Sequence, residues 1–200
     1  MEPQRKMKIN LQNTGKRLFQ FLIFVSVVFF SIKAFSQVQK EKIFWSATRK
    51  LKAEDFEIKL SSKGTGLGSA QFSIDYSVNG FDFLTKNFNK KVQNYMIPTA
   101  STIDTTQNND AFLNYQQSLF DISEIYVRRF RKALRENRKQ ALKGTDYAKR
   151  LNAIILSDFS KRRAEYSNQT SFGTNAVEQQ NWQRLIQQEL AALENYAYEK

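Results

Sequence analysis

The sequence contains no histidine and no cysteine. Zinc sites with imidazole or thiolate ligands are therefore excluded, as are Ser-His-Asp and Cys-His nucleophilic sites. Without cysteine the chain also has no disulfide and no cysteine for lipid attachment, so any argument for export has to come from its N-terminus. Sites built on carboxylates are not excluded in this way.

The acidic residues form no catalytic pattern. A Mg²⁺ or Ca²⁺ site made of carboxylates needs several acids at suitable spacing, and no run of acids in the chain has that spacing. Glycosidases use a pair of carboxylates, but nothing in the sequence singles out such a pair. Asp121 and Glu124 lie three residues apart in a helical segment and are interpreted as surface or ion-pairing groups. We therefore expect no metal and no cofactor.

The N-terminus has the three parts of a secretory signal peptide. Five basic residues (Arg5, Lys6, Lys8, Lys16 and Arg17) precede an apolar run of about 15 residues from Leu18 to Ile32. Ala34 and Ser36 then provide small residues at the two positions that signal peptidase reads. We predict a signal peptide over residues 1–36 and cleavage before Gln37. The apolar run is shorter than the roughly 20 residues that span a bilayer, and an uncleaved anchor is the alternative interpretation.

Residues 37–200 suit a single domain that begins with strands. Short strands are predicted at 43–46 and 92–97, and the clearest strand is 70–78, where apolar and polar residues alternate. Asn79-Gly80 predicts a hairpin whose return strand includes Phe81 and Phe83 and, as an alternative, extends to Phe88. The glycine-rich segment 63–68 lacks the Gly-Lys-Ser/Thr ending of a phosphate-binding loop and is predicted to be a connector. Residues 101–109 are predicted to be a loop.

The second half of the chain predicts three helices. In the first, apolar residues recur at three- and four-residue intervals, and the helix is predicted to run to about Leu142. The second begins at Thr145 or Asp146, and a loop at 164–175 precedes the last, over 176–198. The residues predicted to be buried in the first helix are Phe112, Tyr115, Leu119, Ile122, Tyr126 and Phe130. In the second helix they are Tyr147, Leu151, Ile154 or Ile155, and Phe159. In the last helix they are Trp182, Leu185, Ile186, Leu190 and Leu193.

The first helix contains the segment Tyr115-Gln116-Gln117-Ser118-Leu119-Phe120-Asp121. This segment resembles the His-Glu-Gln-x-His-Phe-Asp helix of a family of secreted bacterial domains of unknown function described as zinc-dependent proteases. In such a helix two histidines four residues apart bind Zn²⁺, and the glutamate activates the metal-bound water. The resemblance places Tyr115 and Leu119 at the two ligand positions and Gln116 at the position of the base.

Two further segments resemble the same family. Trp45, Leu51, Asp55 and Phe56 fit its opening Trp strand and Leu-x-x-x-Asp-Phe turn, and their interpretation is structural, with Asp55 capping or closing a turn. A Tyr-Asp-x-Glu-Thr-x-His-Gly loop followed by Gln and Trp corresponds to residues 166–182, where Tyr166, Thr170, Gly173 and Trp182 match. Ser167 and Gln169 stand at the positions of acids, and Phe172 stands at the position of the family's third ligand.

The resemblance implies a zincin-like α+β fold, a small antiparallel sheet packed against about three helices, that has lost its zinc site. We hypothesise that Tyr115, Leu119 and Phe172 meet in space and turn the floor of the former cleft into core, because polar groups around an empty metal site are costly to bury. Gln116 keeps the approximate size of glutamate without its charge. No residue is predicted to be catalytic.

These patterns favour a non-catalytic pseudo-peptidase that acts as a binding or scaffold protein in the cell envelope, periplasmic or extracellular. One alternative is a hydrolase that uses non-zinc chemistry. The other is a basic module that contacts anionic envelope polymers through Arg128, Arg131, Lys132 and Arg135, since the chain is strongly basic, with 31 Lys and Arg against 19 Asp and Glu. No nucleic-acid motif occurs, and the sequence does not name the partner protein.

Overall fold

A computed structural model describes residues 42–60, 68–77, 88–106 and 109–200. All of the described residues belong to one compact unit. The predicted signal peptide, the hairpin at Asn79-Gly80 with its return strand, and most of the glycine-rich connector lie outside the described residues. In the described part of the chain, no helix is long and apolar enough to span a membrane.

The described residues form an α+β fold, as the sequence predicts. The strands are β1 (Ile43–Phe44), β2 (Ile58–Leu60), β3 (Gly68–Ser69), β4 (Phe72–Tyr76), β5 (Val92–Met96) and β6 (Thr102–Asp104). The helices are α1 (Asp110–Glu136), the single turn α2 (Arg138–Ala141), α3 (Thr145–Gln169) and α4 (Ala176–Ala192). Short 3₁₀ turns lie at Ala53–Asp55, Phe88–Lys91, Pro98–Ala100 and Glu194–Tyr196.

One three-stranded sheet packs directly on α1. Its order is β1-β5-β4, all antiparallel, with Phe72 opposite Met96 and Tyr76 opposite Val92. Alternate residues of β5 (Val92, Asn94, Met96) are buried, as the pleat of a half-buried strand requires. The strand ends before Pro98, because proline has no backbone N–H to donate to the ladder. Pro98 instead begins a 3₁₀ turn. The structure thus confirms both strands, and β5 is the neighbour of β4 in this sheet.

A second sheet shows that the prediction of one small antiparallel sheet is wrong. Its order is β2-β6-β3, and β2 pairs with β6 in parallel. The central strand β6 lies in the segment predicted to be a loop. Only Ile103 among its three residues is apolar, so no alternation marks it, and its pairing depends on β2 and β3, which lie more than thirty residues earlier in the chain.

The long helix α1 is the centre of the domain and contacts α3, α4, β4 and β5. It ends at Glu136, six residues before the predicted end, because Asn137 leaves the helical conformation and its side chain caps the carbonyl of Ala133 at 2.9 Å. The apolar residues predicted for its stripe are all buried in the two core clusters. Burial also extends around the helix to polar residues, which a single stripe does not predict.

The predicted basic face of α1 is wrong for two of its four residues. Arg128 and Arg131 are only 3% and 1% exposed, and both guanidinium groups contact the buried carboxylate of Glu124, at 3.2 and 2.8 Å. Arg131 also donates to the carbonyl of Val92, and Arg128 to the carbonyl of Leu190. The sheet and the C-terminal segment cover this face, and their carbonyls satisfy donors that would otherwise need water.

The other two basic residues, Lys132 and Arg135, are both partly exposed. Arg135 lies over the rings of Phe88 and Tyr196 and donates to Asn89 at 3.4 Å. The four residues therefore do not form a continuous cationic surface, and the anionic-polymer alternative loses the patch on which it depended.

The helices α3 and α4 cover the other side of α1. Ile155 of α3 is buried, whereas Ile154 is 58% exposed, which decides the alternative left open by the sequence. Trp182, Ile186 and Leu190 of α4 are buried as predicted, but Leu185 is exposed. The helix α3 begins at Thr145 without a side-chain cap and runs to Gln169, so the predicted loop at 164–175 shrinks to residues 170–175. The helix α4 ends at Ala192, before the predicted Tyr198.

Candidate ligand-binding cleft

The four positions that the resemblance assigns to the lost zinc site lie together. Tyr115, Gln116, Leu119 and Phe172 line one open cleft of about 510 Å³. The rest of its lining comes from the Gly68–Ser69 strand and from the last turns of α3, with Ser160, Arg163, Ala164, Ser167 and Asn168. The sequence predicted that Tyr115, Leu119 and Phe172 lie close together, and all three line this cleft although Phe172 is more than fifty residues from the other two.

Tyr115 forms the buried end of the cleft. Its hydroxyl hydrogen-bonds the Ser167 hydroxyl at 2.7 Å, and its ring stacks on Tyr166 with 5.2 Å between centroids. Ser167 in turn donates to the carbonyl of Arg163 at 2.7 Å. Tyr115 stands at a metal-ligand position of the resembled motif, and Ser167 stands at the position of an acid. In this protein the two side chains are instead joined by a hydrogen bond between their hydroxyl groups.

Gln116 uses its side-chain oxygen inside the protein. The Oε1 atom accepts a hydrogen bond of 3.2 Å from the backbone amide of Ala70, just after β3. Gln116 is buried, and Leu119 is buried in the main core cluster. The position of the catalytic base therefore joins the second sheet to α1 and is not a free acceptor for water.

Phe172 contacts Tyr115, as hypothesised, with 6.4 Å between ring centroids. The hypothesis that the three residues convert the cleft into core is wrong, because Phe172 is 66% exposed and the cleft is open. The cause is the backbone of the loop. A Cβ on Gly173 would lie 2.6 Å from the Cβ of Tyr115, so the bare backbone of Gly173 packs there in place of the phenyl ring.

The loop also holds Phe172 in an unusual conformation. Ser171, Phe172 and Gly173 all have positive φ, with 55° at Phe172. A left-handed backbone is unfavourable for a bulky non-glycine residue and persists only where the surroundings enforce it. Here the amide of Phe172 donates to the carbonyl of Ser167 at 2.8 Å, which ties the loop to the end of α3. The result is a phenyl ring presented to solvent at the mouth of the cleft.

Arg163 supplies the positive charge of the cleft. Its side chain is half-buried, and its guanidinium makes no hydrogen bond or ion pair with the residues that the structure describes. Asn168, one turn further along α3, is exposed at the same rim. Sequence analysis singled out neither residue for the site, because a polar residue on a charged helix carries no signal of its own.

Tyr166 lies behind Tyr115 and is buried. Burial raises the pKa of Tyr166 to about 12, although hydrogen bonds to Ser118 and Gln179 oppose the shift. Its hydroxyl donates to Gln179 Oε1 at 2.7 Å. At neutral pH this phenol is protonated and acts as a hydrogen-bond donor within the core, so it is not suited to serve as a base.

Residues of the three resembled segments have structural contacts. The Trp45 indole donates to Asp121 at 2.8 Å, and the Leu51 amide donates to Gln117 at 2.8 Å, so the opening segment is attached to α1. Asp55 accepts from the Lys52 amide at 2.8 Å and closes the turn, as its interpretation requires. Asp121 is buried, so it is not a surface group, and of its two expected roles the ion-pairing one applies, with Lys50 Nζ 4.0 Å away.

Within residues 42–60, 68–77, 88–106 and 109–200, no group of three or more His, Cys, Asp or Glu side chains could hold a metal ion. Comparison with protein families, with curated proteins and with solved structures finds no match to the chain. The family resemblance of the motifs therefore stays a prediction. The geometry of the cleft is suited to binding: an exposed aromatic ring, an unpaired cation and an adjacent strand surround an open space.

Proposed function

We propose that the protein is a non-catalytic binding protein of the cell envelope, a degenerate zincin-like relative of secreted zinc peptidases that binds its partner in the cleft below Phe172. The observation that carries the proposal is the contrast between the two parts of the cleft. Its inner polar groups (Tyr115, Gln116 and Ser167) are hydrogen-bonded to the protein itself. At its rim, Phe172 is 66% exposed, and the Arg163 guanidinium has no hydrogen bond or ion pair with any residue that the structure describes.

The chemistry of the rim indicates the kind of partner. Phe172 offers a ring face for an aromatic or aliphatic side chain, and Arg163 offers a guanidinium for a carboxylate. The edge strand Gly68–Ser69 forms one wall, with the Ser69 amide bonded to the Thr102 hydroxyl at 3.0 Å. An extended polypeptide segment with an aromatic residue next to an acidic residue fits all three features. Exposed aromatic and arginine side chains are also the residue types that carry most energy in protein interfaces.

A displayed library of random peptides tests this chemistry directly. The purified chain should enrich peptides in which an aromatic residue is close to Asp or Glu. Phe172→Asn should lose this enrichment, because asparagine tolerates the left-handed backbone and removes only the ring. Arg163→Gln should keep aromatic peptides and lose the acidic preference.

Two control variants lie on exposed surface outside the cleft. Lys161→Gln removes a cation two residues from Arg163, and Val177→Ala shortens an apolar side chain that is 68% exposed, like Phe172. Both should select the same peptides as the unmodified chain. Equal enrichment by all five proteins, or enrichment without an aromatic residue, would contradict the proposal. A crosslinker at Asn168 can then capture the natural partner from envelope fractions.

The absence of catalysis is tested separately. The purified chain should release no peptides from a broad protein substrate, with or without added Zn²⁺, because the sequence has no imidazole or thiolate to bind the metal. Release of peptides that Gln116→Ala abolishes would support the alternative of a hydrolase with non-zinc chemistry.

A further inference from the structure

A second cleft lies on the opposite side of α1. It has a volume of about 310 Å³ and lies between the segment at Lys50–Leu51, α1 and α4. Its α1 residues include Asn114, Gln117, Ser118 and Asp121. At 3.6 residues per turn these project away from the face that carries Tyr115, Gln116 and Leu119. The two clefts are therefore independent, and the second does not depend on the proposed function.

One oxygen of the Asp121 carboxylate accepts no hydrogen bond from the residues that the structure describes. Asp121 is 5% exposed, and its Oδ1 accepts both available hydrogen bonds, from Trp45 Nε1 and from Gln117 Nε2, each at 2.8 Å. Among the described residues, the cation near Oδ2 is Lys50, whose Nζ is 4.0 Å away, too far for a hydrogen bond. Oδ2 faces the cleft and can accept a hydrogen bond, so the cleft favours a ligand that supplies a donor.

The other walls restrict the ligand further. Leu51, Leu113 and Ile186 form apolar lining, and the side-chain amides of Gln183 and Gln187 have no hydrogen-bond partner among the described residues. Lys50 is at the mouth and its side chain is 59% exposed. The Asp121 carboxylate and the Lys50 ammonium group are 4.0 Å apart. They complement a small molecule that has an ammonium group and a carboxylate attached to the same carbon. A cleft of this volume is at the lower end of the usual range for small-molecule sites.

We propose that this cleft binds a free α-amino acid with an aliphatic side chain. The ligand's ammonium group donates to Asp121 Oδ2, its carboxylate pairs with Lys50 Nζ, and its side chain lies on Leu51, Leu113 and Ile186. Burial raises the pKa of Asp121, with the Trp45 hydrogen bond and Lys50 opposing the shift, which agrees with a carboxylate that lacks a full set of donors.

The test uses norleucine and two relatives that each lack one charge. Pentylamine has no carboxylate and hexanoate has no ammonium group. The chain has two tryptophans, so a ¹H–¹⁵N spectrum contains two indole signals. Norleucine should shift the signal of Trp45, which bonds Asp121, in a saturable way. The signal of Trp182, which donates to Gln169 at 2.9 Å, should not move. Pentylamine and hexanoate should bind at least about tenfold more weakly.

Two variants assign the charges. Asp121→Asn and Lys50→Met should each weaken norleucine binding by about tenfold or more. Lys52→Met, which removes an exposed lysine two residues away, and Arg163→Gln, in the other cleft, should leave it unchanged. If Asp121→Asn does not fold, the exposed Lys50→Met decides. The proposal is overturned if norleucine causes no shift of Trp45 at about 1 mM, if pentylamine binds equally well, or if Lys50→Met binds normally.

Discussion

The hydroxyls of Tyr115 and Ser167 hydrogen-bond each other at 2.7 Å across the base of the cleft. One comes from α1 and the other from the last turn of α3, and both are buried. We expect Tyr115→Phe and Ser167→Ala each to reduce the free energy of unfolding by about 1 kcal/mol, the usual net value of a neutral hydrogen bond. Urea denaturation of both variants and of the double variant measures the coupling.

The double variant is the decisive measurement for this pair. It should cost less than the two single variants together, because either change alone already removes the bond. Strictly additive losses would show that the hydroxyls contribute separately and that the contact between α1 and α3 depends on the stacked rings alone.

Gly173 allows the loop to close on Tyr115. Gly173→Ala should destabilise the protein by roughly 1–3 kcal/mol, because φ is +86° there and the new Cβ would lie 2.6 Å from the Cβ of Tyr115. Gly144→Ala is the matched control, since φ is also positive (+149°) but nothing lies within 4 Å of the added Cβ. Thermal denaturation should show a larger loss for Gly173→Ala. A similar loss in both would mean that backbone strain alone matters.

Glu124 provides the negative charge for two buried arginines. Glu124→Gln should destabilise the protein by about 3–5 kcal/mol, because Arg131 loses its carboxylate partner in the core and Arg128 keeps only the exposed Glu194, at 3.3 Å. Glu136→Gln at the exposed end of the same helix, 3.9 Å from Lys132, should change stability by about 1 kcal/mol or less. Chemical denaturation of both variants makes the comparison, and equal effects would refute the importance of the buried cluster.

Asp121 should make stability depend on pH. Burial is the main cause that raises the pKa of Asp121 in the folded protein, above its unfolded value of about 4. At pH values between the unfolded and the folded pKa, the native state therefore holds more protons than the unfolded state. The protonation of Asp121 therefore stabilises the folded state fully at pH values below the unfolded pKa. This stabilisation is lost as the pH rises through the folded pKa. Asp121→Asn keeps an acceptor for Trp45 and should remove this part of the pH dependence, measured by denaturation from pH 3 upward. An unchanged profile would contradict the assignment.

The signal peptide proposed for residues 1–36 would define the mature N-terminus. When the full gene is expressed in a bacterial host, sequencing of the exported protein should begin at Gln37. Replacing Ala34 with a large residue should block processing, because signal peptidase needs a small side chain there. A product that retains residues 1–36 in the unmodified chain would favour the uncleaved anchor.

The sequence predicted those parts of the fold in which local pattern and burial agree. The alternation of β4, the end of β5 before Pro98 and the apolar stripe of α1 are each visible within a few residues, because side-chain periodicity follows directly from strand and helix geometry. The strand β6 carries no such pattern in its three residues, and its existence depends on partners distant in sequence.

The site was predictable in position but not in shape. The two motifs correctly bring Tyr115, Gln116, Leu119 and Phe172 to one place. Whether Phe172 fills the cleft depends on the space above Tyr115, which is taken by the backbone of Gly173. The spacing of the motifs does not indicate whether the Phe172 ring or the Gly173 backbone packs against Tyr115.

By itself, the sequence determined that imidazole and thiolate chemistry is excluded, because that follows from the residues present. Only the tertiary structure decided which charges are exposed. Arg128 and Lys132 are one turn apart on α1, yet one is buried against Glu124 and the other reaches solvent. The difference arises because burial of a helix face is set by what packs on it, here the first sheet and the C-terminal segment, and a charged residue can be buried when its partners are buried with it.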